Sequence, residues 1–390
     1  SMSQLLDNRW PVVSLPQGAQ GGAKAVKDQL EWLETFGRVV IMTDQDEPGR
    51  ACAQAIAELL SPGKACIATL PLKDVSECLV AGRGEEVVSA FWEAKPHTPD
   101  GVLAMADIIS LIEEQVSVPL VSYWHSGVEA MLKGFRRPSI VTLAAGSGVG
   151  KTEFAREIAY DLMCKGESVG YIPLEETPER TALGLASLHV SRPVYDLDSP
   201  LSEEGVMDAL KWVGERCTII DTSRSTGVDW ILSKVRYLAV SYGYRYVVLD
   251  HLSHLVAEIS EGDERRLIDN LMTKLKELVM ELRIGLLLIS HLRGTSGDSR
   301  SHEEGAKTRL VQLRGSRAIG QLSWCAIGLE RDQQCGDPPF TTVRVLKNRP
   351  TSKTGIAGYY RFNYETGRLE ECEAGASGFE DETSETNTDF

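Results

Sequence analysis

The range Ser139–Thr152 carries the residues whose types and spacing point most directly to chemistry. It is a short apolar run, a glycine-rich loop and then the start of a helical pattern. The loop and the two residues after it are Gly146, Ser147, Gly148, Val149, Gly150, Lys151 and Thr152. Backbone N–H groups of such a loop point at phosphates, its lysine reaches the β- and γ-phosphates, and its threonine hydroxyl binds Mg²⁺. The range predicts a nucleoside triphosphate (NTP) site, although Ala145 stands where the strict pattern has glycine.

Two acids follow predicted buried strands and complete this chemistry. Asp250 ends an apolar run, where a carboxylate binds Mg²⁺ at the open end of a parallel sheet. His251 follows it rather than a glutamate, so a catalytic base has to come from elsewhere. Glu175, at the end of the strand after the loop's helix, can orient and deprotonate the attacking water. The alternative is that Glu175 and Glu176 cap the helix that begins at Thr177.

Three further features have two interpretations each. His291 ends a buried strand and either senses the γ-phosphate or is structural. The polar, glycine-rich stretch that follows is too long for an ordinary connection. It either offers Arg293, Arg300 and Lys307 to DNA phosphates or is a solvated loop. Arg349, far along the chain, is either an arginine finger delivered to a neighbouring subunit's nucleotide or a surface arginine.

The elements that position these residues alternate between strands and helices from residue 139 to residue 290, and strands dominate afterwards. Alternation predicts an α/β fold with a mainly parallel sheet and helices on both faces. A second, shorter α/β pattern occupies residues 1–98 and ends at a proline-rich stretch. An amphipathic helix near 102–115 lies in a linker over 99–125. The main domain is predicted over 126–370, with a disordered acidic tail over 371–390.

The bulk numbers are those of an ordinary globular protein of two or three domains. The 390 residues carry a net charge of −15, and the last 20 hold seven acids and no base. A ring that is acidic outside and basic only in its channel remains compatible with this charge. The eight cysteines form no Cys-x-x-Cys pair, so we expect reduced thiols rather than a zinc ribbon. Neither a signal core nor a membrane span is evident.

These motifs together resemble the helicase part of the bifunctional primase–helicases of T-seven-like podophages, and more widely the DnaB-type and Twinkle helicases. The resemblance covers residues 140–370 in order. It rests on the loop at 146–152 and on the runs at 174–176, 249–251, 291–292, 302–305, 313–316, 329–331, 347–349 and 354–359.

The resemblance implies a RecA-like P-loop NTPase core that works as a DNA helicase, hydrolysing dTTP or ATP with Mg²⁺ and moving 5′ to 3′ on single-stranded DNA. It adds Gln321 as a second γ-phosphate sensor and makes Arg331 and Phe362 the pair that sandwiches the base. Loops near 252–262, 293–307 and 314–317 would line a central channel, with Arg314, Gly315 and Ser316 among the DNA contacts.

The same resemblance implies partners. The linker helix would close a ring of six or seven subunits. The tail ending in Asp389 and Phe390 would dock the replicative DNA polymerase. A single-stranded DNA-binding protein and a location in the cytoplasm of an infected bacterial host are also expected.

The N-terminal segment resembles the C-terminal half of the family's Toprim primase fold. Asp44 and Asp46 match its acidic metal motif, and Lys73-Asp74 with Glu77-Cys78 matches a later element. The family's Toprim glutamate and zinc module would lie upstream, so we do not expect primase activity from this chain.

Two other functions share some of these features. A recombinase-type, DNA-dependent filament ATPase would use the same core, but the linker helix, Arg349 and the acidic tail favour a ring helicase. A polymerase-recruiting clamp with a degenerate NTPase is disfavoured because every expected catalytic position is filled.

Overall fold

The structure of the chain is a computed structural model that describes residues 2–16, 18–99, 101–102, 105, 108–109, 112, 120–194, 202–223, 227–251, 261–294, 300–313, 317–334 and 340–373. It divides into two compact units, 1–118 and 119–390, each with its own sheet. None of the described helices is long and apolar enough to cross a membrane.

The N-terminal unit is built on a short three-stranded sheet. Its described helices are α1 (Met2–Leu5), α2 (Gly18–Asp28), α3 (Leu30–Leu33), α4 (Glu47–Leu59), α5 (Val75–Val80) and α6 (Gly84–Trp92). Strand β1 (Val39–Ile41) pairs in parallel with β2 (Ala65–Ile67), which pairs antiparallel with β3 (Lys95–Pro96). A parallel pair needs a crossover connection, and α4 supplies it. The buried face of α4 packs into the core of this unit.

The C-terminal unit contains a nine-stranded sheet in the order β12-β11-β10-β9-β4-β8-β7-β5-β6. The strands are β4 (Ser139–Ala145), β5 (Val169–Pro173), β6 (Cys217–Ile219), β7 (Tyr246–Asp250), β8 (Gly285–His291), β9 (Cys325–Glu330), β10 (Thr341–Asn348), β11 (Gly355–Asn363) and β12 (Arg368–Cys372). Neighbours from β9 to β6 run parallel, and those from β9 to β12 run antiparallel. The central strands β4, β5 and β7 are buried along their whole length, as expected for a parallel sheet covered on both faces.

Helices cover both faces of this sheet. They are α7 (Ser126–Leu132), α8 (Lys151–Cys164), α9 (Pro178–Val190), α10 (Glu203–Gly214), α11 (Val228–Ser241), α12 (Glu261–Leu282) and α13 (Arg317–Leu322). One core lies under α8 and is centred on Leu143, Phe154 and Ile289. The other lies under α11 and α12, with Leu249 and Leu288.

The parallel strands all end at one edge of the sheet, which we call the carboxyl edge; β10 ends at the opposite, amino edge. The register places Ala145 beside His291 and Leu329, and Pro173 beside Asp250. The ends of five strands therefore meet where α/β sheets bind ligands.

The predicted α/β fold with a mainly parallel sheet is confirmed, with two local differences. The structure adds α7, α10 and α13, for which the sequence analysis predicted no helix. Strand β12 continues to Cys372, and the N–H and hydroxyl of Ser126 both donate to the carboxylate of Glu371. The domain therefore extends past its predicted end at residue 370. The linker helix lies largely outside the described residues, as do Asp389 and Phe390 at the end of the tail.

Candidate nucleotide site

The glycine-rich loop leaves the buried strand β4 and closes on α8. Gly148 and Gly150 adopt φ of +68° and +98°, in the left-handed region that glycine tolerates best. A Cβ on Gly146 would lie 2.6 Å from the Cβ of His302, so this position also has no room for a side chain. The loop thus forms an N–H-lined concavity at the N-terminus of α8, as the sequence predicts.

Lys151, the first residue of α8, is buried beside this concavity. Its Nζ donates to the carbonyl oxygen of Gly146 at 2.7 Å, so the side chain folds back along the loop. Burial lowers its pKa to about 8, against the opposing attraction of Glu175 and Asp250. A bound polyphosphate would supply negative charge to this lysine and favour its protonated form.

Asp250 is 2% exposed at the end of β7. Burial raises its pKa to about 7, while a hydrogen bond from Thr152 acts in the opposite direction. Its Oδ1 has no hydrogen-bond partner in the described part of the chain. A buried, unsatisfied carboxylate oxygen beside a threonine hydroxyl fits a Mg²⁺ site, because a divalent cation would satisfy the oxygen and favour its charged form.

Glu175, His251 and His291 meet at the same edge. His251 Nε2 lies 2.7 Å from Glu175 Oε2 and 2.7 Å from His291 Nε2. Because a carboxylate only accepts, His251 Nε2 must carry the proton, and His291 Nε2 then accepts from it as well. In the sequence, His251 belongs to the matching run 249–251 and stands where a glutamate was expected, but no role was predicted for it. The structure makes it the residue that aligns the predicted base with the predicted sensor.

Glu175, His251 and His291 also form a cluster whose potential metal-ligand atoms lie within 4.8 Å of one another, and it is the cluster of this kind found among the described residues. Asp44 and Asp46 are not part of it. Asp46 caps α4 by accepting from Gly49 N at 2.9 Å, and Lys73 Nζ lies 3.8 Å from it. A helix cap accounts for Asp46 without a metal, while the metal role of Asp44 and Asp46 stays a prediction.

Glu176 has a different role from its neighbour Glu175. It binds the guanidinium of Arg156, a residue of α8 that is 2% exposed and also contacts Glu153 at 2.5 Å. The cap of α9 belongs instead to Thr177, whose hydroxyl accepts from the N–H of Arg180. Neither glutamate is the cap, and the ion pair fixes the short segment that carries Glu175.

Arg331 and Phe362 both lie at the carboxyl edge, as a base sandwich requires. Arg331 follows β9 and donates to the carbonyl oxygen of Gly148. Phe362 lies two residues beyond Tyr360 on β11 and packs edge-on against Tyr364 at 5.3 Å between centroids. Gln333, which sequence reasoning missed, donates from Nε2 to the carbonyl oxygen of Ser147 at 2.8 Å.

Arg349 and Gln321 lie at the amino edge instead. Arg349 follows β10, and its Nη2 donates to the carbonyl oxygen of Gln321 at 2.8 Å. Its N–H donates to Trp324 O, and Trp324 N donates to Ile140 O near the start of β4. The structure therefore does not bring Gln321 together with His291 within one subunit. Gln321 and Arg349 lie at the edge opposite their own glycine-rich loop.

The predicted DNA contacts are only partly described. Arg293, Arg300 and Lys307 are exposed. Arg314, Gly315, Ser316 and most of the predicted 252–262 loop lie outside the described residues.

Comparison with known proteins agrees with this geometry. Residues 123–368 match the family described as DnaB-like helicase C terminal domain, and residues 13–79 match a Toprim-like family. The DNA helicase/primase of Enterobacteria phage T3 is 34% identical over 383 residues, covering 95% of this chain and 67% of that protein. A chloroplastic/mitochondrial Twinkle homolog protein of Arabidopsis thaliana is 23% identical, covering 86% of this chain and 50% of that protein.

Among solved structures, a DnaB-like replicative helicase, described together with its interactions with primase, aligns with a TM-score of 0.54 and 22% identity, over 75% of this chain and 72% of that one. This likeness shows the RecA-like fold alone. The family match spans more than half of the chain and includes the loop, Glu175, Asp250 and His291. The chain belongs to the DnaB-like replicative helicases.

Proposed function

We propose that this chain is a subunit of a ring helicase that couples NTP hydrolysis to 5′–3′ movement along single-stranded DNA and to duplex unwinding. The observation that carries the proposal is the meeting of Lys151, Asp250, Glu175 and His291 at one edge of the sheet. The family is one of NTP-dependent DNA helicases. DnaB-like helicases bind single-stranded DNA and form oligomeric rings, which supports the finer proposal.

Hydrolysis would be performed by groups that the fold already holds in place. Lys151 exchanges its bond with Gly146 O for the β- and γ-phosphates. Glu175, aligned by the N–H of His251, accepts the proton of the attacking water. His291 contacts the γ-phosphate, so loss of that phosphate reaches Glu175 through His251.

Thr152 and Asp250 would hold Mg²⁺, which supplies charge neutralisation to the phosphates when bound. Arg331 and Phe362 would stack on the two faces of the base. Stacking discriminates weakly among bases, so we propose that both dTTP and ATP are accepted.

Arg349 would act on the nucleotide of a neighbouring subunit. It lies one residue beyond Asn348, which pairs with Cys325, and Cys325 pairs with Val141 of β4. Along β4, four residues, roughly 13 Å, then separate Val141 from the start of the glycine-rich loop. A finger at the amino edge serves a nucleotide held at another subunit's carboxyl edge, and Gln321 would accompany it.

Arg293, Arg300 and Lys307, with the undescribed Arg314, Gly315 and Ser316, would contact DNA phosphates in the channel. We further propose that the tail with Asp389 and Phe390 docks a replicative polymerase, and that a single-stranded DNA-binding protein cooperates at the fork.

Unwinding of forked DNA tests the proposal. We expect unwinding of a duplex that carries a 5′ single-stranded tail, and none of one that carries only a 3′ tail. Glu175→Gln should bind NTP and DNA yet unwind at least about 100-fold more slowly, because the base is lost. Glu179→Gln, an exposed acid on α9, is the matched control and should behave as wild type. Wild-type unwinding by Glu175→Gln would refute the assignment.

A further inference from the structure

The segment 300–308 brings the polar loop after β8 back to the sheet along the glycine-rich loop. His302 is 6% exposed, and its Cβ leaves no room for a side chain on Gly146. The two segments are in direct contact there. A shift of His302 toward Gly146 must therefore move the loop.

The turn that carries His302 is closed by its own hydrogen bonds. The N–H of Ser301 donates to Glu304 Oε2 at 2.9 Å, and the N–H of Ala306 donates to Ser301 O at 3.1 Å. Thr308 then anchors the segment to β9, because its N–H and its hydroxyl both donate to Glu330 Oε1, at 2.6 and 2.8 Å. These bonds close the turn 301–306 and fix the segment to β9.

Gln333 ties this turn to the glycine-rich loop a second time. Its N–H donates to Glu303 O at 2.9 Å, while its Nε2 donates to Ser147 O at 2.8 Å. Glu304 also pairs with Asp332 in an isolated antiparallel bridge. The turn and the glycine-rich loop thus share Gln333 in addition to the contact between His302 and Gly146.

The first stem of the polar loop is fixed just as firmly. It leaves β8 directly after His291, and Leu292 pairs with Leu313. The N–H of Arg293 donates to Gln312 O at 2.7 Å. One stem therefore starts at the γ-phosphate sensor, and the other passes the glycine-rich loop.

The ring of His302 adds an independent observation. Both ring nitrogens are buried and have no hydrogen-bond partner among the described residues. Buried polar groups are normally satisfied, and an unmet donor or acceptor costs about 1–3 kcal/mol. Any movement that gives the His302 ring a hydrogen-bond partner would therefore be favourable, and the ring lies beside Gly146.

We propose that His302 is the positioning residue through which DNA contact at Arg300 and Lys307 changes the glycine-rich loop and so stimulates hydrolysis. This inference rests on the proposed function, since it requires that the polar loop contacts DNA. It assigns the coupling to the turn 301–306 and Gln333, not to the reacting groups themselves.

The test compares the hydrolysis rate with saturating single-stranded DNA to the rate without DNA, in the full chain. His302→Ala removes the contact with the loop, and Glu304→Ala opens the turn at an exposed position. His189→Ala is the matched control, because His189 stacks on Trp212, with 4.2 Å between ring centroids, away from the site. We expect both test variants to lose about fivefold or more of the stimulation, and the control to keep it.

DNA affinity, measured by fluorescence anisotropy with a non-hydrolysable NTP, separates coupling from binding. We expect the DNA affinity of both variants to stay within about twofold of wild type, a change too small to explain the lost stimulation. Equal stimulation in wild type and both variants would overturn the coupling alone. Parallel loss of affinity and stimulation would also overturn it, by making the turn part of the DNA site. A wild-type rate indifferent to DNA would overturn the proposed function as well. If His302→Ala does not fold, Glu304→Ala decides.

Discussion

The assignment of Arg349 to a neighbouring subunit's nucleotide predicts a specific result in mixed rings. Arg349→Ala alone should lose about 10³–10⁵ in turnover, as loss of an arginine finger does in related NTPases. Lys151→Ala alone should also be inactive, because its own loop no longer binds the phosphates productively. Arg349 lies at the amino edge and Lys151 at the carboxyl edge of the sheet. Within one subunit, each substitution therefore leaves the other site unchanged.

When the two inactive variants are mixed in equal amounts, activity should return. An interface is intact when a subunit with Lys151 sits beside one with Arg349. Random assembly makes about a quarter of the interfaces intact, half of a half, in a closed ring of identical interfaces. We therefore expect up to about a quarter of the wild-type NTPase rate, far above either parent.

The assay is steady-state NTP hydrolysis after the variants are mixed and allowed to exchange subunits. A control mixture of Lys151→Ala with the double variant Lys151→Ala/Arg349→Ala holds no intact interface and should stay inactive. Exchange itself is checked with fluorescently labelled subunits. If subunits exchange but the mixture remains as inactive as its parents, Arg349 acts within its own subunit and the reasoning from the sheet register is wrong.

Three other predictions follow from single contacts. Gly146→Ala places a Cβ 2.6 Å from that of His302, so it should cost about 1–3 kcal/mol of unfolding free energy and weaken NTP binding; unchanged urea denaturation and NTP titration would count against this packing. Arg368→Ala leaves Glu157, 1% exposed, with only the backbone N–H of Leu369 as a donor among the described residues, and should cost about 3 kcal/mol, which Glu157→Gln in the same chain should partly restore; no recovery in that double variant would argue against a buried charge as the cause. Burial lowers the pKa of His125 below its usual 6.5, so the unfolded chain takes up protons first and stability should fall as pH drops below 6.5; melting curves of His125→Asn should show a smaller loss, and an identical pH dependence would contradict the assignment.

The glycine-rich loop, Asp250, Glu175 and the alternation of strands and helices could be predicted because each is encoded in contiguous residues. A buried strand that ends in a polar residue places that residue at the carboxyl edge whatever the rest of the chain does. The same logic located His291. The ends of the predicted strands therefore identified most of the candidate site residues.

What the sequence analysis missed depends on contacts between distant segments. His251 gains its role only when β5, β7 and β8 bring Glu175 and His291 to it. Gln333 and His302 meet the glycine-rich loop only because β9 lies next to β4. Gln321 lies at the amino edge because α13 directly precedes β9, which starts there, and Arg349 lies there because β10 runs antiparallel to β9. A signal was available for α10, where Ser202 precedes Glu203 and Glu204, a usual helix start.

Hydrolysis of dTTP and ATP, with and without single-stranded DNA, tests the central claim most directly. A motor of this family should hydrolyse both dTTP and ATP slowly without DNA and severalfold faster with it, and Lys151→Ala should abolish hydrolysis of both nucleotides. Robust hydrolysis by the wild type that DNA leaves unchanged would contradict the account, because the polar loop would then not be linked to the glycine-rich loop.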